Sequence, residues 1–304
     1  MKSRPSSEES LLALVAREIP PPGAEVLTGI GDDCAVIRHP KGPRLLTLLK
    51  TDALVEGIHY AKGAPLHAVG WKALCRAVSD IAAMGGTPRH ALVTVAAPAT
   101  WGTAEWRALY RGLGRAARKF ALSIVGGETV RSSGGAFVSV ALTGEVPKDR
   151  LKLRSGGRPG DLVCVTGRLG GSFRSGRHLR FEPRVAEGRW LAAQRGVTAM
   201  MDLSDGLGSD LPKLASASGC SYRVDLPVLP RHPGCSVREA VSDGEDYELL
   251  LTLSPHGSNG LLRRWKKAFP RLPLTPIGKL LPPGEPSTPL APGYDHLART
   301  PRTR

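Results

Sequence analysis

A chain of 304 residues that is 41% hydrophobic has enough apolar material for one large or two ordinary globular domains. A formal net charge of +15 suits an anionic ligand, whether nucleic acid, membrane surface or phosphorylated metabolite, without choosing among them. Five scattered cysteines, Cys34, Cys75, Cys164, Cys220 and Cys235, have no paired spacing, which excludes a disulfide framework or zinc knuckle and fits reduced thiols in the cytosol.

In chain order, Ser6 and Glu9 have the spacing of a capping box that opens a short helix. The apolar run 11–16, followed at once by Arg17 and Glu18, is too short for a signal peptide or membrane span. Alternating apolar residues predict strands at 34–38 and 45–49. Leu74, Ala77, Val78, Ile81 and Met84 recur at three and four residues and predict one amphipathic helix over 69–84. A strand at 91–96, a helix at 104–120 and strands at 122–125 and 137–142 follow. The stretch 147–161, rich in Arg, Gly, Lys and Pro, is the junction between two halves, 1–148 and 149–304.

The second half predicts strands at 162–166, 222–225 and 247–253, helices at 206–217 and 260–269, and an irregular proline-rich tail at 282–292. Seven arginines between 168 and 195 face only Glu182 and Glu187 and read as a solvated basic face, with a nucleic-acid surface as the alternative. Strands and helices alternate in both halves, so the fold class is α/β or α+β in two layered domains.

Six acidic clusters stand beside glycine or hydroxyl residues: 31–33, 51–52, 79–80, 126–129, 202–206 and 243–248. Carboxylates without Cys or His companions are hard oxygen donors, suited to Mg2+ and through it to phosphates. Each cluster has a plainer explanation. Asp32 and Asp33 suit a turn, Asp80 can pair with Arg76 four residues earlier on one helix, and Asp202, Ser204 and Asp205 can cap the helix that follows. As a set they end strand and helix patterns, where α/β architectures gather ligand groups. The Walker, dinucleotide and protein-kinase phosphate motifs are absent from the sequence, and no nucleophile stands out.

The runs Gly29-Ile30-Gly31-Asp32-Asp33, 51–59, Trp71-Lys72-Ala73-Leu74 leading to 79–85, Asp202-Leu203-Ser204-Asp205-Gly206, 244–249 and Gly293-Tyr294-Asp295-His296 closely resemble the thiamine-monophosphate kinase family. The resemblance runs in order from about residue 29 to 296. It implies an AIR synthase-like fold, with an N-terminal domain that dimerises through its sheet and a C-terminal α/β domain closing over ATP. It implies Mg2+-dependent transfer of the γ-phosphoryl group of ATP to thiamine monophosphate in a cytoplasmic homodimer. A relative with another acceptor, or a catalytically silent nucleic-acid-binding homologue, is the alternative. By motif position Asp33, Thr51, Asp52, Asp80, Glu128, Asp202 and Asp205 would hold metal. Tyr110, Gly127, Arg154 and Ser204 would contact ATP, and His59, Glu245 and Tyr294 would line the thiamine phosphate site.

The sequence departs from that pattern at three places. Lys50 stands where the family has Ser or Thr, on the same strand face as Asp52. Glu128 replaces Asp, and only a short Arg-rich link joins residues 172 and 182.

Overall fold

The computed structural model describes residues 8–295; Ser6, the expected capping residue, and His296 lie outside the described residues. After helix α1 (Glu8–Glu18) the chain builds a sheet from β1 (Val26–Thr28), β2 (Ala35–Arg38), β3 (Leu45–Val55), β4 (Thr87–Pro98), β5 (Ser123–Ser132) and β6 (Phe137–Pro147). Its order is β1-β2-β3-β6-β4-β5, antiparallel throughout except for the parallel pair β4/β5. Helices α2 (Leu66–Ala83) and α3 (Thr103–Lys119) join the strands and pack together. They cross closely at Gly112, where a Cβ would lie 1.9 Å from the His67 carbonyl oxygen.

A second sheet, all antiparallel, has the order β8-β10-β7-β11-β9. Its strands are β7 (Leu162–Thr166), β8 (Val197–Asp202), β9 (Ser221–Val224), β10 (Leu249–Leu253) and β11 (Leu274–Leu281). Helices α4 (Val185–Ala192), α5 (Leu207–Ala217), α6 (Val237–Ser242) and α7 (Ser258–Ala268) complete this half. Helix α2 is buried along most of its length because it packs on its own sheet, on α3, and on α4 and β8 of the second half. Ala83 belongs to the same apolar cluster as Leu191, Met200 and Leu251, so the helix carrying Asp80 is clamped between the two halves.

The two layered sheet-and-helix halves match the α/β or α+β expectation, and several elements exceed or escape the periodicity. β3 does not stop at 49; Lys50, Thr51 and Asp52 pair with Leu142, Ala141 and Val140 of β6, and the ladder overrides their polarity. β5 likewise runs through Glu128, in register with Thr94. Both acidic clusters therefore sit within strands rather than at their ends. β11 was hidden by Pro276 and Gly278, between which its register to β7 shifts. β8 and α4 lay in apolar stretches too short to separate from loops. Among the described residues no helix is long and apolar enough to cross a membrane, and Cys34, Cys75, Cys164, Cys220 and Cys235 are free thiols.

Candidate active site

A cleft of about 990 Å³ lies between the two halves. Its walls are the β1–β2 turn, the middle of β3, the C-terminal part of α2, Arg154, and the loop joining β8 to α5. Asp33 follows the turn, Asp80 is on α2 and Asp202 ends β8, so three distant elements deliver three buried carboxylates. One oxygen of each lies within 4.8 Å of the others.

Each acid has a partner of its own. Arg154 donates to Asp33 Oδ1 from Nη2 at 2.6 Å and from Nε at 3.2 Å. The Lys50 ammonium is 2.8 Å from Asp80 Oδ1, and Ser79 Oγ donates to Asp202 Oδ2 at 2.5 Å. Within the trio Asp33 Oδ2 is buried with no hydrogen-bond partner among the described residues, as are Arg76 Nε and Tyr247 Oη in the cleft wall. An ionised oxygen left dry is costly, and a divalent cation removes that cost, so this donor set fits Mg2+.

Burial and then the Asp33 charge push Asp202 up to about 7. Burial also raises Asp80 well above the carboxylate range against the pull of Lys50. Burial disfavours the Lys50 charge, but Asp80 and Asp52 outweigh it and raise the pKa, so this lysine stays cationic. Asp32 is raised to about 6 by burial and by Asp33; it accepts from the Arg154 N–H at 3.1 Å and holds the turn.

The other acids lining the cleft are already paired. Asp52 meets Arg76 at 3.1 Å, which corrects the expected Arg76–Asp80 pair, and Asp205 meets Lys213 at 2.6 Å. Thr51 points to the opposite strand face from Lys50 and Asp52, although it too borders the cleft. Ser204 lines the wall beside Asp205.

A narrow extension of the cleft is lined by Ile58, His59, Arg76, Ser204, Asp205, Glu245, Tyr247 and Tyr294. Two loops are stitched together here by backbone bonds from Glu245 N to Ser204 O (2.7 Å) and Tyr247 N to Leu203 O (2.8 Å). Tyr294 N donates to Asp205 O at 2.8 Å, which ties in the tail. Glu245 and Tyr247 adopt φ of 67° and 52°, a left-handed conformation that costs side-chain-bearing residues on the order of 1 kcal/mol each. Such strain persists where the surroundings enforce it, commonly at ligand sites. His59 Nδ1 accepts from the Val55 N–H at 2.9 Å, which leaves the proton of a neutral ring on Nε2.

Beneath this extension lies Lys72, fully buried on α2. Its Nζ donates to Glu245 Oε2 at 2.6 Å and to the His59 carbonyl at 2.5 Å, and lies 2.8 Å from His178 Nδ1. Burial lowers its pKa to about 8 against the pull of Glu245. Burial opposes ionisation of Glu245 as well, yet Lys72, His178 and Arg76 together hold that carboxyl below the usual range.

Tyr110, Gly127 and Glu128 are not brought to the cleft within one chain. Tyr110 is exposed on α3 beside Trp106, and Glu128 is exposed on the sheet-edge strand β5. Gly127 has a structural reason of its own, since a Cβ there would lie 1.9 Å from the Val93 carbonyl oxygen.

Residues 31–146 match the AIR synthase related protein, N-terminal domain, and residues 172–258 match the AIR synthase related protein, C-terminal domain. The thiamine-monophosphate kinase of Rhodopirellula baltica is 36% identical over 267 residues, spanning 82% of each chain. The chain belongs to the thiamine-monophosphate kinase family.

The Bacillus subtilis thiamine-monophosphate kinase is 33% identical, over 84% of this chain and 86% of its own. The solved structure of AaThiL complexed with AMPPCP and TMP superposes with a TM-score of 0.80 at 29% identity, over 97% of this chain and 99% of that one. In this thiamine-monophosphate kinase family member the seven arginines of 168–195 are not simply a solvated face. Arg177 pairs with Asp246 at 2.6 Å, and Arg184 forms a two-nitrogen pair with Glu248. Asp246 and Glu248 therefore lock the loop. Asp243 accepts from the Gly171 N–H at 2.9 Å, which accounts for an acid at that place. Sequence reasoning missed Lys72 and Lys213 as counter-charges and gave Arg76 the wrong acid, Asp80 in place of Asp52; the Trp71-Lys72 run was the signal that marked the first.

Proposed function

We propose that this protein transfers the γ-phosphoryl group of ATP directly to thiamine monophosphate, giving thiamine diphosphate. The observation that carries this reading is the buried Asp33, Asp80 and Asp202 trio, with its unpartnered oxygen, at the head of a cleft that continues into the His59, Glu245 and Tyr294 extension. Membership of the family supports the same substrates.

In this reading Asp33, Asp80 and Asp202 hold Mg2+, with Asp52, Thr51 and Asp205 at the rim of the same cleft. Bound Mg2+ supplies charge neutralisation between two mutually repelling anions. The acceptor is a phosphate monoester with a second pKa of about 6, so it is already an oxyanion at neutral pH and needs no general base. The protein's own task is positioning. Arg154 and Ser204 face the triphosphate; Arg154 spends Nε and Nη2 on Asp33 and keeps Nη1 for a phosphate oxygen. His59 Nε2, Glu245 and Tyr294 hold the thiamine end, where an ionised Glu245 suits the thiazolium cation.

The division at 1–148 and 149–304 serves this layout, with the cleft between the halves. A homodimer is supported by apolar side chains left exposed on the first sheet, among them Leu49, Leu92, Val125 and Val130. Tyr110, Gly127 and Glu128 keep the roles that the family resemblance implies only if a second copy completes the site. Five cysteines left as free thiols support a cytoplasmic enzyme. Incubating the purified protein with ATP, Mg2+ and thiamine monophosphate should yield thiamine diphosphate, and Asp33→Asn and Asp52→Asn should abolish it. Product formed equally well by both variants would overturn the assigned roles.

A further inference from the structure

Lys50 is the feature of the cleft that phosphoryl transfer does not require. Its ammonium sits 2.8 Å from Asp80 Oδ1, against one member of the carboxylate trio where a cation is otherwise wanted, and its side chain is only 23% exposed. It is placed there by the strand. Residues 46 and 48 of β3 are buried on the helix-facing side, so residue 50 continues that face and must meet α2. Asp52, next on this face, is taken by Arg76, so Asp80 is the acid left for Lys50.

Charge counting shows the consequence. Asp33, Asp80 and Asp202 carry three negative charges when ionised, and Lys50 and Arg154, each in contact with one of them, return two positive ones. With all three acids ionised, the form that binds a divalent ion, the cluster keeps one net negative charge. A divalent ion at the unpartnered Asp33 Oδ2 leaves it at plus one, which a phosphate then neutralises. A second divalent ion would leave it at plus three, with Asp80 Oδ1 already held by the ammonium.

We infer that Lys50 is a built-in cation of this site: it stands in for part of the divalent charge, keeps the trio assembled without metal, and limits the nucleotide-free protein to one divalent ion there. The inference rests on the proposed metal role of the trio, and its test separates the two. Lys50→Met removes the charge at similar length, and Lys50→Arg keeps it. Mg2+ binding by calorimetry and thermal melting, in EDTA and in Mg2+, would be followed for the intact nucleotide-free protein.

The wild type should bind one Mg2+ and melt within a degree or two in either buffer. Lys50→Met should melt several degrees lower in EDTA, recover in Mg2+, and bind Mg2+ at least about tenfold tighter or in greater number. Lys50→Arg should follow the wild type. A Lys50→Met protein that melts lower and is not rescued by Mg2+ would make the pair a plain ion pair and overturn the inference. Unchanged melting and Mg2+ binding in Lys50→Met would overturn it as well. Absence of Mg2+ binding in every form would instead remove the metal reading itself, and this inference with it.

Discussion

Asp202 carries a cost that the fold relieves only in part, through the Ser79 hydroxyl. Its carboxyl is pushed up to about 7 by burial and by Asp33, so between the ordinary value near 3.8 and that point the folded chain binds more protons than the unfolded one. Stability from this group therefore falls as pH rises through that window. Asp202→Asn should stabilise the metal-free protein by about 1 kcal/mol or more at pH 7, one pKa unit being worth about 1.4 kcal/mol. The same change should remove Mg2+-dependent turnover, and chemical denaturation beside an activity assay checks both. Lys72 has the opposite position. With its pKa lowered to about 8 by burial, the unfolded chain binds more protons from there to about 10.5, so its contribution to stability rises with pH across that interval. Its role in the site runs the other way: above pH 8 it loses the charge that holds Glu245, and KM for thiamine monophosphate should climb while KM for ATP stays level. Paired pH profiles decide this. The acids were legible in the sequence because each sits in a short motif with glycine or a hydroxyl. Lys72 and Lys213 were not, and Arg76 was matched with Asp80 instead of Asp52, because a cation's partner is chosen only when two elements close on each other.

At the scale of elements, β5 and α2 show what a sheet or helix adds to its motif. Gly126-Gly127-Glu128 reads as a ligand loop, yet it is a strand whose backbone runs against β4, with Gly127 facing the Val93 carbonyl at a distance no Cβ tolerates. Gly127→Ala should therefore destabilise the protein by about 2 to 4 kcal/mol through strand separation, lowering the melting temperature even where nucleotide binding is not measured. A mere ligand-contact role predicts a normal melting temperature. α2 was legible from its apolar spacing, and its position between the two halves was not. That position depends on Ala83 meeting Leu191 and Met200, contacts between residues more than a hundred apart. The strands that escaped notice failed for local reasons: a proline and glycine shift the register of β11, and β8 is a short apolar run like any buried segment.

Across the whole molecule, the two halves meet along one cleft, and neither alone contains the carboxylate trio: Asp33 and Asp80 come from the first, Asp202 from the second. Lys72, Arg154 and the Glu245 loop bind the halves across the same line. The open face of the first sheet exposes Leu92, and a charge there should keep two copies apart without disturbing the buried core. On the proposed homodimer, Leu92→Asp should give a monomer in light scattering and cut turnover sharply while the circular dichroism spectrum is unchanged. A monomeric variant with full activity would show that one chain holds the complete site. The convergence of the trio on a divalent ion is tested most directly by anomalous diffraction from crystals grown with AMPPCP and Mn2+. A peak between Asp33 and Asp202 is the expected result; peaks only elsewhere, with those carboxylates bare beside bound nucleotide, would contradict it.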